Sequence, residues 1–194
     1  MQSALHKAPL VAAVPHCKLC IRDLHLQRRI LGVTAEQFHQ LHEADEVTYN
    51  LHIMLRYELE KKIFNDNLSV DDIPETWNQM FSEWFGIEVP EDRLGCLQDI
   101  HWSMAAFGYF PTYTLGNLYA AQLLAAMGEE LGDVDKIVES GNWQPMLGWL
   151  RSKIHLEGSK WTPSELIEHA TGAPPTPQPF IDYVEKKYGE LYNL

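Results

Sequence analysis

Apolar side chains recur at every fourth position from Val47 through Leu51, Leu55 and Leu59 to Ile63, which predicts one buried stripe on a long helix over residues 44–65. Thr48, His52 and Arg56 repeat with the same spacing on a second line of that helix. They could face a cleft together, or lie with Glu60 on an ordinary solvated face. Residues 68–74 read as a turn carrying Asp71 and Asp72, and residues 75–85 as an amphipathic helix closed by Gly86. Trp77, Met80, Phe81, Trp84 and Phe85 are expected in the core rather than in a ligand cage. Residues 114–131 read as an apolar helix with small side chains at Ala120, Ala121, Ala125 and Ala126 and a stop at Gly132. Four more helices are expected over 134–140, 143–156, 162–171 and 179–192. The third of these opens on a capping box, Thr162-Pro163-Ser164-Glu165. Four prolines within residues 173–179 make a stiff surface connector. No alternating strand pattern and no internal repeat is present, so the expected fold is all-α.

Between the two longest helical patterns lies the block GCLQDIHWSMAAFGYFPTYTLG, residues 95–116. It sets a histidine, an acid and an amide among aromatic side chains, where desolvation sharpens each hydrogen bond. Gly108 and Pro111 interrupt the helical pattern, which puts Tyr109 and Tyr113 on an irregular segment with their hydroxyls aimed at particular partners. Composition alone also allows a plain aromatic turn around a satisfied histidine.

Charge divides the chain. Residues 1–43 hold five Lys/Arg against three Asp/Glu, whereas residues 44–194 hold ten against twenty-four. The net charge of −12 speaks against nucleic acid as a partner, since phosphate binding needs clustered Lys and Arg. No apolar run approaches the ~20 residues of a membrane span. Three cysteines and no secretion signal point to the reduced cytoplasm. Near the N-terminus, residues 19–31 could form a short helix, and Thr34 with Gln37 makes a capping box. His16-Cys17-x-x-Cys20 with His25 offers several zinc donors, but a lone CxxC lacks the second ligand pair of a finger. The first 33 residues follow no strong periodicity and are expected to pack loosely.

Gly95-x-x-Gln98-Asp99-x-His101-Trp102, followed by Gly108-Tyr109-Phe110-Pro111-Thr112-Tyr113-x-Leu115-Gly116, resembles a block near the C-terminal end of the carboxypeptidase Taq family of metallocarboxypeptidases. Ala44-Asp45-Glu46-Val47-Thr48-Tyr49-Asn50-Leu51-His52 resembles the helix before it, and Ala121-Gln122-Leu123 the helix after it. The likeness runs over residues 44–194 and leaves residues 1–43 as a divergent, unmatched segment. It implies the helical C-terminal portion of a gluzincin-like metallopeptidase fold, acting on peptide C-termini with Zn or Co. It also implies that His101 and Tyr113, with Tyr109 in reserve, stand where related enzymes place hydrogen-bond donors to an oxyanion. Gln98 and Asp99 would orient His101, with His52 and Arg56 as supporting or substrate-binding groups. Where family members carry Ile-Arg or Ile-Ala, this chain has Gln40-Leu41, so one candidate grip on a substrate carboxylate is missing.

The metal ligands that the family would need are absent from the sequence. The one His-Glu pair is His42-Glu43, position 46 is Glu46 rather than histidine, and no His-Glu-Ser occurs. His155 and His169 are isolated and expected on the surface. His42 with Glu46, or Cys17 with Cys20, could improvise a site, yet two ligands hold zinc weakly. The chain therefore reads as a truncated or rearranged family member without its metal site. The alternative is a non-catalytic helical module that binds a partner or self-associates as a homodimer.

Overall fold

The computed structural model describes residues 46–192. The 19–31 helix, the Thr34 capping box, the Cys17–Cys20 group, the His42–Glu43 pair and the loose packing expected of the first 33 residues lie outside the described residues. Within them every regular element is helical, as the sequence predicts: α1 Glu46–Asn65, α2 Ile73–Phe85, α3 Pro111–Leu131, α4 Val134–Glu139, α5 Gln144–Leu150, α6 Pro163–Thr171 and α7 Gln178–Tyr192. No described helix is long and apolar enough to cross a membrane. The chain divides into two compact units at Thr114/Leu115.

In the first unit α1 packs on α2. The four-residue stripe holds, with Leu51, Leu55 and Leu59 all at or below 1% exposure. The facing helix α2 contributes Trp77, Phe81 and Phe85, which are also buried. A left-handed Gly86 (φ 66°) ends α2, its N–H donating to Ser82 O, a conformation that costs glycine little. The second line of α1 is buried too. Thr48, Arg56 and Glu60 are each at most 4% exposed, which overturns the solvated-face alternative. Long-range partners make this burial affordable, and they form the candidate site.

Two features hold the loop after α2. Gly95 sits where a Cβ would lie 2.7 Å from Val89 Cγ1 and 3.1 Å from the Trp77 indole nitrogen. Next to it Cys96 is a free, buried thiol, pushed above its ordinary pKa by burial and further by the nearby Asp92 charge.

The sequence places Tyr113 on an irregular segment after a proline break; the structure corrects this. Pro111 opens α3, so Tyr113 lies in that helix's first turn and only Tyr109 stays in the loop. At this position the missing proline N–H costs nothing and the fixed φ suits the helix. The expected 143–156 helix is likewise divided. α5 ends at Leu150 and continues as a wider π-helical turn over Arg151–His155.

The second unit has its own core of Ala126, Met127 and Trp149, covered by Leu123, Leu131, Val134, Met146 and Leu150. Its proline-rich connector is tied down by one buried amide. Gln122 Nε2 donates toward Thr171 Oγ1 (3.1 Å), Ala173 O (3.1 Å) and Pro174 O (3.2 Å), and Oε1 accepts from Thr176 N at 3.1 Å. The Thr162–Glu165 capping box forms as expected and starts α6.

Two substitutions test this packing by thermal or urea denaturation. Gln122→Ala is expected to cost about 1–3 kcal/mol, because it strands the connector's buried polar groups. Gly95→Ala is expected to cost a similar ~1–3 kcal/mol through overpacking against Val89 and Trp77. Wild-type stability in either variant would contradict the contact assigned to it.

Candidate functional site

Arg56 is the buried anchor of the site. Its guanidinium lies against the faces of Trp77 (4.9 Å) and Phe110 (5.4 Å). Nε and Nη2 both reach Asp99 Oδ2 at 2.6 Å, and Nη1 donates to the carbonyl of His52 at 2.8 Å. With the Gln98 amide turned so that its oxygen faces Arg56, that oxygen accepts from Nη2 at 3.0 Å while its nitrogen donates to Leu94 O. All three guanidinium nitrogens are therefore engaged within the fold.

Asp99 uses one oxygen on Arg56 and turns the other toward His101, with Oδ1 3.9 Å from Nδ1. That Nδ1 is buried and makes no hydrogen bond. On the opposite side of the ring, His101 Nε2 and Tyr113 Oη are 3.0 Å apart. If the ring proton is on Nε2, the imidazole donates to the phenol oxygen and the phenol proton is left for another acceptor. The opposite tautomer reverses that bond. The imidazole is walled by aromatic rings: Phe110 at 4.5 Å, and Tyr109 and Tyr113 each at 5.8 Å between ring centres. Tyr109 also meets Tyr113 edge-on at 5.4 Å and is 49% exposed, so it forms the solvent side of the group.

Of the residues singled out from the sequence, His101, Tyr113, Tyr109, Asp99 and Arg56 come together. Gln98 reaches Arg56 and Leu94 rather than His101. The His52 ring stacks on Phe85 at 4.3 Å and tilts against Phe81, so the side chain joins the α1–α2 aromatic layer and only its carbonyl serves Arg56.

Two residues were given no part in the site from the sequence. Burial raises the Tyr49 phenol above the ordinary tyrosine pKa; Tyr113 adds to the rise, Arg56 opposes it and Asp99 adds again. Tyr49 thus senses the same charges from the α1 side. Its signal was the seven-residue interval to Arg56, two helical turns on one face. Glu60 is the second. Its Oε1 accepts from Trp102 Nε1 at 2.9 Å and its Oε2 from the Gly108 N–H at 3.0 Å.

The resemblance implies a metal, and the described residues do not fit one. Among them no group of three or more His, Cys, Asp or Glu is placed to hold an ion. The carboxylate nearest His101 already neutralises a guanidinium, which repels a second cation. What the group can do is donate a hydrogen bond from the Tyr113 phenol, whose oxygen the imidazole Nε2–H holds, to a substrate oxygen at an aromatic wall.

Residues 31–188 match the Carboxypeptidase Taq (M32) metallopeptidase family. Thermostable carboxypeptidase 1 of Thermus thermophilus is 49% identical over 151 residues, covering 78% of this chain and 30% of that protein. Carboxypeptidase 1 of Bacillus subtilis is 46% identical over 152 residues, with the same 78% and 30% coverage. The crystal structure of the M32 carboxypeptidase from Deinococcus radiodurans superposes with a TM-score of 0.73 at 35% identity, covering 87% of this chain and 36% of that one. The chain thus spans about 30% of the length of the curated relatives it matches. With the family match over most of its length and relatives at 35–49% identity, the chain belongs to the carboxypeptidase Taq (M32) metallopeptidase family.

Proposed function

We propose that this chain is the substrate-side portion of a metal-dependent carboxypeptidase, binding the C-terminal end of a peptide without itself holding the metal. The observation that carries this reading is the His101–Tyr113 pair at 3.0 Å, backed by Asp99 on the buried Arg56. A carbonyl or carboxylate oxygen at the Tyr109 side would receive a hydrogen bond from the Tyr113 phenol, while the imidazole Nε2–H holds the phenol oxygen and strengthens it as a donor to a developing negative charge. Arg56, engaged on all sides, acts by fixing Asp99 rather than by gripping substrate. Family membership supports the peptide substrate. The lack of HExxH and His-Glu-Ser from all 194 residues supports the missing metal site.

A second reading, a non-catalytic binding or self-association module, is favoured by one observation. Leu97, Ile100 and Met104, flanking His101, are each more than 60% exposed, unusual for a stretch with no partner.

Two measurements separate these readings. A short peptide with a free C-terminal carboxylate is expected to shift the His101 ring resonances, and the same peptide amidated is not. Tyr113→Phe should weaken that binding about 10- to 100-fold, the loss of one hydrogen bond to a charged group, and His101→Ala should weaken it by releasing the phenol that makes this bond. Equal response to both peptides would remove the substrate-side reading and leave the module. In the second measurement, the isolated chain with added Zn²⁺ or Co²⁺ is expected to hydrolyse N-blocked dipeptides no faster than its His101→Ala variant. Donor groups contribute ~10²- to 10³-fold, but only to a nucleophile already in place. Turnover by the wild type that vanishes in the variant would restore a complete enzyme.

A further inference from the structure

We propose that Glu60 is a positioning residue for the His101–Tyr113 pair, forming with Arg56 a two-point clamp one helical turn apart on α1. Its functional meaning rests on the donor reading given above, but its geometry can be measured without substrate.

Both clamp residues are 4% exposed, and each takes hold of the 99–108 loop on a different side of His101. Arg56 holds Asp99, two residues before the histidine. Glu60 holds Trp102, the residue immediately after it, and also the Gly108 N–H, where the chain turns back toward Tyr109 and α3. Gly108 has φ 74°, a left-handed conformation that aims its N–H without the penalty a side chain would meet. The two carboxylate oxygens thus fasten the loop's two limbs to one point on α1. The limb carrying His101 and the limb leading to Tyr113 are held at a fixed spacing.

The chemistry requires a carboxylate. Trp102 and Gly108 both present donors, and among the described residues no cation pairs with Glu60, so its burial depends on those two hydrogen bonds. A carboxylate accepts at both oxygens. An amide of the same shape accepts at one and points its own N–H at the other donor. Glu60→Gln therefore keeps the volume and breaks one limb of the clamp.

The test is a double-mutant comparison read at the His101 ring by NMR, on the full chain without peptide. In the wild type, Tyr113→Phe removes the hydroxyl that contacts Nε2 and should move the His101 ring resonances clearly. In a Glu60→Gln background the same Tyr113→Phe change is expected to move them by a third or less of that amount. Glu58→Gln, on a half-buried carboxylate paired with Lys61, should leave the full response. Where Glu60→Gln fails to fold by circular dichroism, Trp102→Phe is compared instead; it cuts the indole bond and leaves the carboxylate on Gly108. A full Tyr113→Phe response in either folded variant would overturn the clamp. Loss of the response together with unchanged discrimination between free and amidated peptides supports the clamp and removes the donor reading, so the two ideas fail separately.

Discussion

A guanidinium and a carboxylate buried on the same helix must be satisfied by something, and in this chain the irregular loop satisfies them. Leaving either one bare would cost several kcal/mol. Removing Asp99 alone, and so stranding Arg56, belongs to the class of changes that cost about 3–5 kcal/mol. The requirement is mutual. The loop has little regular structure of its own, a single 3-10 turn at Trp102–Met104 and a left-handed Ala105. Its shape is therefore dictated by where α1 offers a donor fork and a two-oxygen acceptor. Packing then reinforces polarity, because the rings of Trp77 and Phe110 cover the guanidinium and exclude the water that would compete for it.

Seen this way, the candidate site is built from the inside out. The imidazole of His101 makes no hydrogen bond to α1, yet its neighbours in sequence on both sides are fastened there. Tyr113 reaches the same ring from a regular helix that Pro111 starts at a defined point. The imidazole is thus presented by a fastened loop and the phenol it orients by a helix terminus. This gives geometric precision to groups that lie beside solvent-exposed Tyr109.

Much of this was legible in the chain itself. The Leu51–Leu55–Leu59 stripe, the Gly86 stop and the Thr162–Glu165 box rest on local periodicity and local hydrogen bonds, which sequence encodes directly. The His101 block was legible through its resemblance to a family rather than through any period. Glu60 was not legible. A glutamate on a helix is solvated by default, and its burial here depends on partners 42 and 48 residues away. Pro111 misled for a related reason: a proline marks either the end of one helix or the first turn of the next, and only the fold decides which. The π-helical turn at Arg151–His155 had no signal in the periodicity, since one residue of extra winding barely disturbs an apolar pattern.

The thiol of Cys96 turns this architecture into something that can be timed. Alkylating reagents attack the thiolate, and here burial and the Asp92 charge keep the sulfur protonated and covered at the root of the fastened loop. Labelling at this position must wait for the loop to part from α2. The rate of its modification is therefore a stopwatch on local opening, reporting how often the segment that carries His101 lets go while the rest of the helices stay folded.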